Sequence, residues 1–224
     1  MKHINNKIYY EFVNVSPTLR YILKHIPIVS ARELIKMSEP ADLITAQAMF
    51  STYTSTARFL VSRSMGLVQG GNYITLKMVA DKNKIIGYGT EVGTKFDKSD
   101  SVIRERSFKK WLSYYNDAIL IRISGITDKQ KESAVNYMKS KRGLKYSYSK
   151  TTKSPFGRMG DIIKTPNEEE TNFDPGGEQF CSSIIAYAFK NANVDLHFNV
   201  RLENVWPRDF LLSPHTIKLC RVKQ

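Results

Sequence analysis

The segment Asp117-Ala118-Ile119-Leu120-Ile121-Arg122-Ile123 is the clearest strand in the chain, a nearly continuous apolar run broken by one arginine. Its short length and its isoleucines favour strand over helix. Thr127-Asp128-Lys129-Gln130 follows at once and reads as a capping box. In such a box the Thr hydroxyl and the Gln side chain satisfy each other's free backbone N–H groups. The spacing predicts an amphipathic helix to about Lys139, with Ala134, Val135 and Met138 facing inward. Upstream, Tyr73 to Val79 alternates like a half-buried strand, Asp81-Lys82-Asn83-Lys84 reads as a turn, and Ile85-Ile86-Gly87-Tyr88 as the return strand. Strands joined by so short a turn pair antiparallel. The expected fold class is therefore α+β, an antiparallel sheet with packed helices.

The remaining segments are less regular. Residues 1–29 are a mixed polar and aromatic lead-in with weak periodicity. Ser30-Ala31-Arg32-Glu33 is another capping box and predicts a helix over about 31–37, with Pro40 as breaker. Asp42-Leu43-Ile44-Thr45 reads as a short buried strand. Ala57, Leu60, Val61 and Met65 recur near helical spacing. Residues 145–178 differ in kind: Ser, Thr, Gly and Pro dominate, with a Glu168-Glu169-Glu170 run and few apolar anchors. So long a stretch reads as a lid, a binding segment or a disordered loop. A last strand is expected near Thr216 to Val222, and no internal repeat is present.

Composition narrows the function classes. A chain of 224 residues, 42% apolar and 25% charged, can bury one good core. No apolar run approaches the roughly 20 residues that a membrane span needs. The start lacks a secretory-signal pattern, so a cytoplasmic or virion location is expected. Two cysteines, Cys181 and Cys220, make no disulfide framework, although one bridge between them is conceivable. No Cys-x-x-Cys or His-x-x-x-His spacing exists, so neither a metal site nor a cofactor is expected. The net charge of +13, from 34 Lys and Arg against 21 Asp and Glu, favours a polyanion such as nucleic acid, or else a solvated basic surface. Its basic stretches are 104–110, 139–150 and the C-terminal Arg221-Val222-Lys223-Gln224.

Cys181 is the candidate nucleophile. In Glu178-Gln179-Phe180-Cys181-Ser182-Ser183-Ile184-Ile185 it stands where a loop hands over to a helix. The positive end of the helix dipole and the free N–H groups there favour a thiolate. The structural alternative is a buried cysteine, since Ile184, Ile185, Ala188 and Phe189 share its helical face. Cys220, in the last strand, reads as packing.

The order of parts resembles the circularly permuted, NlpC-like papain-fold amidases and cysteine peptidases. Glu39-Pro40-Ala41-Asp42-Leu43-Ile44-Thr45 is similar to their Pro-Gly-Asp-Leu/Ile-Ile opening. Arg58 to Met65 is similar to their first helix, and Gly71 to Tyr88 to their first hairpin. Gly143-Leu144-Lys145-Tyr146 resembles their Gly-x-x-Tyr, Phe180-Cys181-Ser182-Ser183 their Phe-Cys-Ser-Glu, and Trp206 to Pro214 their closing Pro-x-Asp-Leu-x-x-Ser. The resemblance implies an N-terminal extension over 1–38 and a permuted papain-like domain over 39–224. It also implies a catalytic His opening the hairpin and an acid on the return strand. Those positions fall on Asn72 or Tyr73, and on Gly87 or Tyr88, and the family Glu is Ser183.

None of these can serve as the base. Asn does not exchange a proton near neutral pH and Tyr titrates near 10, while losing a general base typically forfeits roughly 10²–10⁴-fold in rate. Tyr73 and Tyr88 either plug the former pocket or line a binding cleft. His197 and His215 follow Cys181 but lie in no family match, and Glu91 is a displaced acid or a turn residue. The resulting expectation is a catalytically degenerate papain-fold module, partnered by other proteins of an assembly such as a phage or viral particle. The alternative is a cysteine amidase or peptidase cleaving an amide or acyl bond with Cys181.

Overall fold

The computed structural model describes residues 17–48, 73–88, 102–146, 179–198 and 200–223. Six strands form one antiparallel sheet: β1 (Leu43–Ala48), β2 (Tyr73–Asp81), β3 (Lys84–Tyr88), β4 (Ile103–Ser107), β5 (Tyr115–Ile123) and β6 (Thr216–Lys223). Their order is β4-β3-β2-β1-β5-β6. The helices are α1 (Pro17–His25), α2 (Ala31–Met37), α3 (Phe108–Leu112), α4 (Asp128–Ser140), α5 (Cys181–Asn191) and α6 (Pro207–Leu212). The chain is thus α+β around an antiparallel sheet.

Both faces of the sheet are covered. On the first, Leu43, Leu76, Met78, Ile86, Ile119 and Ile121 pack with α1, α4, α5 and the segment around Val205 to Leu211. On the second, Ile44, Val79, Ile85, Ala118 and Leu120 pack with Leu34 of α2 and with Phe108, Trp111 and Leu112 of α3. Two-sided cover explains the continuous apolar run in β5, because successive residues face two different cores. It also corrects the half-buried reading of β2: Thr75, Leu76, Lys77, Met78 and Val79 are all buried.

Local signals produced the expected elements where they were strong. Ser30 and Thr127 both close full capping boxes, with Glu33 and Gln130, and open α2 and α4. Ala134, Val135 and Met138 of α4 are buried as their spacing predicted. The turn at 81–84 joins β2 to β3. Besides α6, three elements were not anticipated. One is α1, which buries Leu19 and Leu23 from within the lead-in. Another is β4, whose Arg104, Glu105 and Arg106 give no apolar alternation because their long side chains are half-buried at the sheet edge. The third is α3, opened by the Ser107 hydroxyl, which accepts from the Lys110 N–H. The expected helix over Ser55–Met65 and the segment 147–178 lie outside the described residues.

Residues 17–38, expected as an extension, are knitted into the sheet. The Arg221 N–H donates to the Pro27 carbonyl at 2.8 Å, and the Val29 N–H donates to the Arg221 carbonyl at 2.9 Å. The Arg221 side chain then binds Asp117 with both arms, at 2.7 and 2.5 Å, and donates to the Leu23 carbonyl at 3.1 Å. One buried guanidinium thereby ties β5, β6 and α1 together. Among the described residues no helix is long and apolar enough to cross a membrane.

Asp117 is fully buried, so removing its charge leaves the buried Arg221 guanidinium without that carboxylate. Asp117→Asn is expected to cost about 3–5 kcal/mol in urea unfolding, the usual penalty for breaking one side of a buried pair. A loss below about 1 kcal/mol would show that the pair does not hold these elements together.

Candidate functional site

Cys181 is the first residue of α5, as the sequence predicted. The chain enters the helix through Phe180 in an extended conformation, φ −111° and ψ 173°. Ser183, where the family has Glu, does the capping. Its hydroxyl oxygen accepts from the Phe180 N–H at 3.1 Å. Ser182 donates to the Val205 carbonyl at 2.6 Å and fixes the helix against the 200–206 segment. Every residue from Cys181 to Phe189 is buried. The helix packs on β2 and α4.

The other family-like segment converges on the same place. Gly143 has φ +83°, a conformation that favours glycine. Its N–H donates to the Ile103 carbonyl at 2.9 Å, and the Ile103 N–H returns to Leu144 at 3.0 Å. This docks 143–146 on β4. Tyr146 then forms a parallel bridge with Gln179, two residues before Cys181, and its ring meets Tyr88 edge-on at 5.1 Å. Tyr73 and Tyr88 are both buried in the cluster that contains Cys181.

The sulfur itself is in a dry place. Cys181 is 8% exposed, and burial pushes its thiol above the ordinary value of 9.0. Four weaker influences oppose this: the Lys77 ammonium, backbone hydrogen bonds from Leu76 and Ser182, and the Ser182 hydroxyl. The Leu76 amide is available because pairing between β2 and β3 stops at Met78–Ile86. Among the described residues no imidazole and no carboxylate acts on this sulfur.

Lys77 is the residue that sequence reasoning missed. It is 2% exposed, and burial lowers its ammonium from 10.5 to about 8, with Cys181 opposing the fall and Arg106 and Arg104 adding to it. It pairs with Ile44, so its stem leaves the sheet on the second face. There it crosses Gly87: a Cβ on Gly87 would lie 2.8 Å from the Lys77 Cδ. Gly87, one of the two positions expected for the acid, is therefore clearance for a lysine. A lysine within the otherwise apolar Leu76-Lys77-Met78-Val79 is the signal that could have drawn notice.

The other candidates lie elsewhere. Asn72 and Glu91 are outside the described residues. His197 and His215 stack on each other with centroids 4.7 Å apart, and His197 Nδ1 lies 3.5 Å from Asp195. Neither acts on Cys181. Cys220 faces the second core, where burial raises its thiol to about 11. The two cysteines sit on opposite faces of the sheet as free thiols, which removes the conceivable bridge. Among the described residues no group of three His, Cys, Asp or Glu could hold a metal. Comparison with models of known protein families and with curated proteins finds no match for this chain.

Chemically, the site is a buried thiol within electrostatic reach of a buried ammonium. Between about pH 8 and 10.5 the unfolded chain binds a proton at Lys77 that the folded chain does not, so this group's contribution improves as pH rises. Its cost is fully present below about 8 and amounts to roughly 3 kcal/mol. Lys77→Met should therefore be more stable than the parent at pH 7, with the gap closing towards pH 10. Denaturant titrations at both pH values check this, and a pH-independent difference would contradict it.

Proposed function

We propose that this chain is a circularly permuted papain-like domain of NlpC-like descent that has lost hydrolysis and serves as an interaction module in a protein assembly. The resemblance of six segments in family order supports the descent. The carrying observation is the environment of Cys181: the address of a nucleophile, with burial as the strongest influence and, among the described residues, neither imidazole nor carboxylate acting on the sulfur. A thiol held protonated in an apolar setting is a poor nucleophile. The residues at the two positions expected for the acid do other work. Tyr88 packs on Tyr146, and Gly87 makes room for Lys77. The basic, Lys-, Asn-, Ile- and Tyr-rich composition suits a component of a phage or viral particle.

The test is thiol reactivity in a Cys220→Ala background. A thiol-directed activity probe at pH 7 should label Cys181 no faster than an exposed cysteine on an unstructured peptide. Cys181→Ala should leave folding and partner capture unchanged. Rapid labelling that Lys77→Met slows at least tenfold would overturn the reading.

Lys77 specifically favours a second reading, a cysteine amidase or peptidase with lysine in place of histidine. An amine that titrates near 8 is close enough to working pH to take the thiol proton. It would then return that proton to the leaving amine as the thioester forms. Under this reading Cys181→Ala and Lys77→Met each abolish release of a fluorogenic amide or acyl reporter. Under the first, the parent protein releases none.

A further inference from the structure

A groove runs along the outer face of α4, at the end of α5 far from Cys181. Positions 129, 133, 136 and 140 recur at steps of four, three and four, so they share one face of the helix. The buried Ala134, Val135 and Met138 lie on another side of it. An outward helix face is ordinarily convex. Here Asn191, the last residue of α5, joins the α4 side chains as lining of a groove of about 600 Å³. That volume is within the range of small-ligand sites. The Gln130 carboxamide donates to the Asn193 carbonyl at 3.1 Å and pins the start of α4 to the chain leaving α5. Cys181 opens α5 and Asn191 closes it, about 15 Å apart along the axis.

The chemistry of the lining narrows the ligand. Ser133, Asn136, Tyr137, Ser140 and Asn191 bring hydroxyl and carboxamide groups to the groove. Every such group both donates and accepts hydrogen bonds. The Ser140 hydroxyl donates to the Tyr137 carbonyl at 2.8 Å, and its oxygen keeps lone pairs for a ligand. Among the described residues no aliphatic residue lines the groove, which argues against a lipid tail or an apolar peptide anchor. Tyr137 packs against the first core, and the Lys141 ammonium lies 5.0 Å from its ring centroid. The charged lining residues are Lys129, Lys141 and Glu132, one cation in excess. The two lysines stand about 18 Å apart along α4. Charge so sparse does not track a polynucleotide backbone, which carries a phosphate at every nucleotide.

We infer that this groove binds a short acidic oligosaccharide, one whose sugars carry a carboxylate. A sugar ring is rimmed with hydroxyls that donate and accept, and the lining answers with groups of the same dual character. Lys129 takes the carboxylate in a charge-assisted hydrogen bond, since the Lys141 ammonium is held over the Tyr137 ring. The lining rides on two packed helices rather than on a loop, so less ordering is lost on binding. The groove lies away from Cys181 and works whether or not that thiol reacts.

The experiment applies the full chain to a panel of immobilised oligosaccharides, followed by calorimetric titration of the strongest binder. Its arms are uronate and sialylated chains, neutral chains of equal length, and a single-stranded oligonucleotide. Acidic members should bind saturably, and about tenfold or more tighter than the neutral ones. Asn136→Ala exchanges an exposed helix residue for the best helix former, so the unfolding midpoint should hold while binding weakens about tenfold or more. Lys129→Gln should remove the preference for acidic over neutral members. Cys181→Ala should leave binding intact, which separates the groove from the thiol. No binding across the panel, or equal binding of neutral and acidic members, would overturn the proposal. So would binding that neither Asn136→Ala nor Lys129→Gln alters. An oligonucleotide held more tightly than every saccharide, and equally sensitive to Asn136→Ala, would overturn it in favour of a polyanion contact.

Discussion

Cover on both faces of the sheet is the constraint from which the other features descend. A sheet open on one side tolerates charge at every second residue, because those side chains reach water. Here α4 and α5 close one face while α2 and α3 close the other. Every residue of a central strand must then be apolar, paired, or present for a reason. Arg122 meets the requirement by gripping Asp42 at 2.8 and 2.7 Å. Asp117 meets it through Arg221. Lys77 has no carboxylate partner among the described residues, where the groups that act on it are the Cys181 thiol, Arg106 and Arg104.

The same constraint shapes the site around the thiol. Helix α5 is buried along its first nine residues, so the dipole at its start acts in a dry environment. Dryness strengthens each hydrogen bond to the sulfur but penalises the thiolate more. Gln179 is held in this setting at 1% exposure. Its Oε1 receives the Ser183 hydroxyl at 3.3 Å, and its Nε2 has no hydrogen-bond partner.

How much of this was legible depended on the range of the interaction. The capping boxes at Ser30 and Thr127 are complete within four residues, and both helices begin where those residues place them. The hairpin from Tyr73 to Tyr88 and the strand at 117–123 were visible through short-range pattern alone. Edge strand β4 was not, because Arg-Glu-Arg disguises a strand whose side chains lie along the sheet rim. The position of Cys181 was read correctly from its loop-to-helix setting. Its lysine neighbour was out of reach, because the contact depends on where β2–β3 pairing stops and on which face α5 covers. The tyrosines at 73 and 88 could be placed near the thiol by resemblance, but their burial follows from packing.

The threading of α1 onto the far end of the chain has a consequence for how the protein is made. Arg221 holds the Leu23 carbonyl across 198 positions of sequence, and the strand carrying Arg221 also completes the sheet edge beside β5. Contacts of such range close late, because the chain between them must first give up its freedom. During synthesis the hairpin of β2 and β3 can form early. The Leu23 carbonyl has no guanidinium to hold until a residue 198 positions further along the chain has left the ribosome. The tie between α1 and β6 is thus made long after the helix itself has been synthesised.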